Sequence, residues 1–192
     1  MSNLSSTADD ILDCAQSLIL TGGYNGFSYA DIAEVVGIRK ASIHHHFPSK
    51  VDLVRMLVLR YREAARAGFI ALESRAADPR AQLSNYVAYW EECLFDGSTP
   101  FCVCALLASE LPVLPAEVAA QVRLHFETLR VWLTSALERG AATGLFRLSA
   151  AAPAEAETFM ATLHGAMLSA RVHDDPKLFA VITGAMLTRL SG

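Results

Sequence analysis

The stretch from Ser28 to Leu53 constrains this chain more than any other, because two short helices and the start of a third are punctuated within it. Ser28 stands where a helix N-cap belongs, and Asp31, three residues later, is placed to reach back to it. Ile32, Ala33 and Val36 give the helix that follows one apolar face. Gly37 ends it, since glycine accepts the left-handed geometry common at helix C-termini. A second helix carries Arg39, Lys40, Ser42, His44 and His45, with Ile43 and Phe47 as apolar anchors and Pro48 as its stop. Ser49 and Asp52 repeat the capping spacing at the head of the next helix. Two short helices joined by a glycine turn, the second rich in hydrogen-bonding side chains, form the pattern of a helix-turn-helix DNA reader.

Composition sets the outer bounds. A chain of 192 residues is one large domain or a small domain fused to a larger one, and is long enough to bury a sizeable core. With 53% hydrophobic and 19% charged residues, the composition argues against disorder. No apolar run approaches the roughly 18–20 residues needed to span a bilayer, so no membrane partner is expected. The opening MSNLSSTADD lacks a basic and an apolar region, which argues against a signal peptide and for a cytoplasmic location. A net charge of -4 argues against a protein coated in basic charge. It leaves room for sequence-specific DNA binding, which needs only a local basic face, and Arg39, Lys40 and Lys50 supply one. Cys14, Cys93, Cys102 and Cys104 form no CxxC pair and are expected to be reduced, packing as small hydrophobes.

Taken in order, the chain reads as all-α with about nine helices and no alternating strand pattern. Thr7 or Asp9 is expected to cap a first helix running to about residue 21, with Ile11, Leu12, Ala15, Leu18 and Ile19 on one face. Gly22 and Gly23 end it, and Phe27 is expected to plug the small N-terminal core. A long helix from Ser49 shows no breaker before Asp78-Pro79, its stripe running through Leu53, Val54, Leu57, Val58 and Tyr61 to Ala64, Ala65, Gly68, Phe69 and Leu72. Further helices are expected over about 80–96, 101–110, 116–141, 154–171 and 176–190, separated by Asp96-Gly97-Ser98-Thr99-Pro100, by Pro112 and Pro115, and by a linker over 145–153.

Residues 10–57 resemble the N-terminal domain of the TetR family of transcriptional repressors. The resemblance is carried by the apolar helix ending in Gly22-Gly23-Tyr24, by Phe27-Ser28, Asp31-Ile32-Ala33 and Val36-Gly37-Ile38, and by the run from Ala41 to Lys50. It implies a DNA-binding domain over 1–54 and a ligand-binding and dimerisation domain over 55–192. It also implies a homodimer that sets two recognition helices about 34–36 Å apart, or somewhat more, in a near-palindromic double-stranded operator. A small-molecule effector in the C-terminal bundle would change that separation. Ser28 and Lys50 are then candidates for phosphate contacts, beside helix N-termini. Arg39 and Lys40 are placed to reach guanine edges or phosphate, and Ser42, His44 and His45 complete the set. His44 stands where the family usually carries Tyr, and His46 where a half-buried structural residue is usual. Three consecutive histidines on one rigid helix point about 100° apart and cannot share one ion, so no metal and no cofactor is expected.

In the C-terminal part, Phe159 to Ala170 and Leu178 to Met186 carry two apolar stripes with small residues at Ala161, Gly165, Ala166 and Ala170, the expected dimer face. Tyr86, Tyr89, Trp90, Cys93, Phe126, Leu129, Trp132, Leu133 and His164 are the candidate effector residues, suited to an apolar or aromatic ligand. Cys102 matches the place where some relatives open a helix with Gly-Cys and use the thiol to sense electrophiles, though Phe101 stands here in place of Gly. Cys102 and Cys104, two apart on a helix, point to opposite sides, which disfavours a mutual disulfide. No nucleophile elbow, phosphate-binding glycine loop or HExxH motif suggests an enzyme. The remaining rival is a helical small-molecule binder without DNA function.

Overall fold

The computed structural model describes residues 6–97 and 101–191. Ser98, Thr99 and Pro100, assigned above to a helix break, lie outside the described residues, as do the first five positions. Among the described residues the chain is helical throughout and no strand occurs. In order come α1 (Thr7–Gly22), α2 (Tyr29–Val36), α3 (Lys40–His46), α4 (Lys50–Arg75), α5 (Pro79–Asp96), α6 (Val103–Ser109), a 3-10 turn (Leu111–Val113), α7 (Ala116–Ala142), α8 (Ala152–His173) and α9 (Lys177–Ser191). The all-α expectation and the N-terminal helix-turn-helix are met. Two compact units form, Met1–Glu63 with Val103–His125, and Ala64–Cys102 with Phe126–Gly192.

In the first unit the core is built from helix faces whose periodicity is visible in the sequence. Ile11, Ala15 and Ile19 of α1, Ile32 of α2, Ile43 of α3 and Leu53, Val54 and Val58 of α4 are fully buried, and Phe27 plugs the space between them. Ile43 matters most for the short α3, a helix too short to persist alone. Burying one such side chain contributes about 1.5–3 kcal/mol and holds the helix to its neighbours. The cap of α1 falls one residue earlier than expected. Ser6, not Thr7 or Asp9, accepts the Asp9 N–H at 3.2 Å and donates to the Asp9 carboxylate at 2.7 Å. Asp9 is instead the acidic partner in the first turn, and it also pairs with Arg60 at 3.3 Å. Leu18 is only half-buried, whereas Cys14 and Leu20 join the core.

The second unit is held mainly by α8 against α9, with α5 also packed on α9. Phe159, Leu163, Ala166 and Met167 of α8 and Phe179, Thr183, Met186 and Leu190 of α9 are all buried. The stripe expected along α4 beyond Tyr61 narrows here: Ala64 and Gly68 are exposed and Phe69 alone is deeply buried. The reason is that a helix running past one core presents different faces along its length, and a small residue covers little apolar surface if it misses the core. α8 starts at Ala152 rather than 154, with Pro153 in its first turn where the missing N–H costs nothing. A buried carboxylate, Glu155, organises the approach to this helix. It accepts from Ser149 N at 2.9 Å, Ser149 Oγ at 2.6 Å and Ala150 N at 3.2 Å, and pairs with Arg189 of α9 at 3.0 Å.

Candidate functional site

The helix-turn-helix is fixed by backbone punctuation before any surface chemistry. Ser28 Oγ accepts the Ala30 N–H at 3.2 Å, and the Asp31 carboxylate accepts the Ser28 N–H at 2.7 Å and its hydroxyl at 2.8 Å. Asp31 is held below the usual carboxylate range, chiefly by the Ser28 hydroxyl. Gly37 closes α2 in the left-handed region, φ 75°, with its N–H on the Ala33 carbonyl at 3.0 Å. α3 opens at Arg39 with no side-chain cap and no acidic residue in its first turn. That leaves a helix N-terminus without a resident anion, and Arg39 and Lys40 are exposed there. α4 opens on a Ser49 cap, with Ser49 Oγ accepting the Asp52 N–H at 3.1 Å and donating to its carboxylate at 2.7 Å.

An open cleft of about 370 Å³ lies among these elements, lined by Phe27, Ser28, Tyr29, Ala30, Lys40, His44 and Lys50. It brings together four of the residues singled out in the sequence: Ser28, Lys40, His44 and Lys50. Arg39 and His45, both exposed, and Ser42, half-buried, sit on α3 outside its walls. The Lys50 ammonium donates to the Phe27 carbonyl and stands 4.0 Å from the centre of the Phe27 ring and 5.0 Å from that of Tyr24. Burial pulls its pKa down, opposed by the carboxylates of Asp31 and Glu110. His44 leans on Tyr29, ring centres 4.7 Å apart, and its Nδ1 faces the Pro48 carbonyl at 3.2 Å. A neutral imidazole that donates from Nδ1 keeps only an acceptor at Nε2, so His44 offers a phosphate less than the tyrosine hydroxyl usual at that position. Tyr29 in turn donates to the Phe47 carbonyl at 2.9 Å, and burial pushes its phenol up to about 12. His46 is exposed, not half-buried, because Ile43 and Phe47 already fill the apolar side of α3.

Sequence reasoning missed Glu110. Its carboxylate accepts the Tyr24 N–H at 2.8 Å, and a methyl group on Gly23 would meet Glu110 Oε1 at 2.0 Å. Gly23 therefore does two jobs, ending α1 at φ 73° and leaving room for a side chain from after α6. Nothing local signals a partner 86 residues away.

Within the second unit the effector candidates divide into two groups. Tyr86, Trp90, Cys93, Cys102, Leu129, Trp132 and Leu133 are buried. Tyr86 packs edge-on to Trp132 at 5.2 Å, and Phe69, read from sequence only as part of a helix stripe, stacks flat on Trp132 at 4.5 Å and 8°. Phe126 and His164, both half-buried, pair at 5.4 Å. Tyr89 is 54% exposed but packs edge-on to Trp90 at 5.4 Å, and its phenol is pushed up to about 12 by partial burial and then by Cys93 and Cys102. Cys102 lies immediately before α6 as expected, but it is 1% exposed; all four cysteines are free thiols and buried. Among the described residues no group of three or more His, Cys, Asp or Glu is placed to hold a metal ion, and no helix is long and apolar enough to cross a membrane.

Known proteins share both halves of this arrangement. Residues 11–57 match the family described as bacterial regulatory proteins, tetR family, and residues 79–186 match the family described as tetracyclin repressor-like, C-terminal domain. A TetR-family transcriptional regulator from Agrobacterium tumefaciens is 60% identical over 96% of this chain and 97% of its own, with a TM-score of 0.94. A TetR transcriptional regulator from Legionella pneumophila is 25% identical over 98% and 99%, with a TM-score of 0.88. Among curated proteins, IcaR of Staphylococcus aureus, the negative transcriptional regulator of the icaADBC biofilm operon, is 42% identical over 50 residues. The chain spans 27% of the length of that relative, and the match covers 26% of this chain.

Proposed function

The chain belongs to the TetR family of bacterial transcriptional regulators, and from that premise we propose that it is a homodimeric repressor released from a near-palindromic operator by a small apolar or aromatic effector. Regulators of this family bind DNA and dimerise rather than catalyse reactions. The observation that carries the reading is the cleft where Ser28, Lys40, His44 and Lys50 converge beside the open N-terminus of α3. Arg39, Ser42 and His45 extend that surface along α3 and are assigned base or phosphate contacts. Repression, as opposed to activation, is the role named for IcaR, whose similarity to this chain is confined to 50 residues. Residues 1–54 are taken as the DNA-binding domain and 55–192 as the effector and dimer domain, acting in the cytoplasm beside the chromosome.

Dimerisation is supported by an apolar surface on α8 and α9. Leu168, Val172 and Val181 are 54%, 70% and 67% exposed, and a methyl group on Gly165 or Gly184 would meet nothing within 4 Å. Large apolar side chains beside small residues suit close approach by the same helices of a second copy.

A mobility shift of the full-length protein on the DNA upstream of its own gene tests the reading. A retarded band whose affinity falls steeply with salt is expected. No shift even at low salt would sink it in favour of a helical binder without DNA function. The thiol-sensing alternative requires that N-ethylmaleimide release DNA from the wild type and not from Cys102→Ser; the burial of Cys102 weighs against it.

A further inference from the structure

Trp132 and Trp90 are 7% and 4% exposed, yet neither indole N–H has a hydrogen-bond partner among the described residues. Buried tryptophan N–H groups normally find an acceptor, and leaving one unmatched is costly. Both indoles stand beside Tyr86. Its ring lies 5.2 Å from that of Trp132, and Trp90 eases the ionisation of the Tyr86 phenol. Burial nevertheless drives the Tyr86 phenol far upward, which marks the surroundings as dry.

Four ligand chemistries can be separated on this basis. A quaternary cation needs open ring faces, but Phe69 and Trp132 already face one another at 4.5 Å. An anion needs a free cation. Arg139 is held by Gln82, Ser135 and Glu73, and Arg80 by the Leu145 carbonyl, while Arg171 stands over the Phe101 ring at 5.7 Å. A pure hydrocarbon would fill space and leave the indole donors unmatched. A neutral molecule with an acceptor oxygen suits the uncharged surroundings and satisfies the donor. The geometry points to Trp132, edged by Tyr86, as the recognition element for a neutral effector bearing a carbonyl-type oxygen that accepts the Trp132 N–H. This inference rests on the effector-release reading above and names the chemistry of its ligand.

Equilibrium dialysis of the full-length protein with 2-acetylnaphthalene, 2-ethylnaphthalene and 2-naphthoate tests it, because the three share a ring system and differ in acceptor and charge. The ketone should bind about tenfold tighter than the hydrocarbon. Trp132→Phe keeps an aromatic ring and removes the N–H. It should cost the ketone that same factor of about tenfold and leave 2-ethylnaphthalene within about twofold. Equal binding of ketone and hydrocarbon to the wild type, or binding of neither, overturns the assignment. So does tighter binding of naphthoate, which would point to Arg171, or a ketone preference that survives in a folded Trp132→Phe. The wild-type comparison needs no variant, so it decides the matter even if Trp132→Phe fails to fold. Operator release is read separately by mobility shift. Ketone binding without DNA release would refute effector release and leave the Trp132 assignment standing. Absence of ketone binding in a protein that still shifts its operator would refute the assignment alone.

Discussion

The DNA-reading head and the aromatic cluster of the second unit use polar side chains in opposite ways. In the head, Lys40, His44 and His45 are displayed on a seven-residue helix that begins after Arg39 and is anchored to the core by the buried Ile43. In the second unit, the indole and phenol groups of Trp90, Trp132 and Tyr86 are sunk among rings and are at least nine-tenths buried. The lesson is a division of cost. Exposed groups on α3 lie outside the core that Ile43 anchors. The buried aromatic groups serve packing first, and any ligand role is built on top of that.

Substitutions can break this contrast. Trp132→Ala should have the largest effect, about 3–5 kcal/mol of stability in urea unfolding, since it removes a ring stacked on Phe69 and edged by Tyr86. A loss under about 1 kcal/mol would mean that the cluster is a loosely packed pocket wall and that the contrast fails. Lys50→Ala sharpens it from the other side. It should weaken operator binding by about 1–2 kcal/mol and make the salt dependence shallower by roughly one ion per lysine lost. If the variant binds DNA normally but melts markedly earlier, then the hydrogen bond to the Phe27 carbonyl is the purpose of Lys50 and the phosphate role is wrong.

What could be read in the sequence follows the same divide. The head was legible because its determinants are local: Ser28 and Asp31 are three apart, Gly37 must take a positive φ, and Ser49 and Asp52 repeat the spacing. Lys40, His44 and Lys50 could be gathered into one site because the turn geometry between them is fixed. Glu110 was invisible because its partner, the Tyr24 N–H, is 86 residues away and the capping of a loop end by a distant carboxylate has no periodicity. Phe69 was assigned to a helix stripe correctly, but its flat stack on Trp132 depends on two helices far apart in sequence. Tyr89 and Trp90 show the limit of composition alone. They are adjacent aromatics on α5, and helical phase buries one and exposes the other.

Glu155 gives the contrast a pH dimension. Its carboxyl is held below the usual range, first by the Ser149 hydroxyl and then by Arg189 and the Ser149 amide, against the cost of burial. A carboxylate whose folded pKa is depressed adds stability above its unfolded pKa, and that contribution fades as pH falls through the folded value. Glu155→Gln should therefore lower stability by about 1 kcal/mol at neutral pH, and the gap from wild type should close below about pH 4. Denaturant titrations at several pH values would show it. A gap that stays constant down to pH 3 would mean that shape rather than charge is what Glu155 supplies.

The smallest expected effect falls on the most exposed part of the contrast. Tyrosine in place of His44 restores a hydroxyl donor where Nδ1 is otherwise directed to the Pro48 carbonyl. If the head is a display surface, His44→Tyr should tighten operator binding by about 0.5–1 kcal/mol, roughly two- to fivefold in Kd, with stability unchanged within about 0.5 kcal/mol. Mobility shifts at fixed salt, run beside thermal melts, would measure both. A variant that binds DNA less well would show that the imidazole reads the operator directly, because a phosphate accepts a tyrosine hydroxyl at least as readily. A variant that binds normally but loses stability would show that the contact between His44 and Tyr29, 4.7 Å apart, belongs to the packing of the head. In that case the line between displayed and buried groups would run through α3 itself.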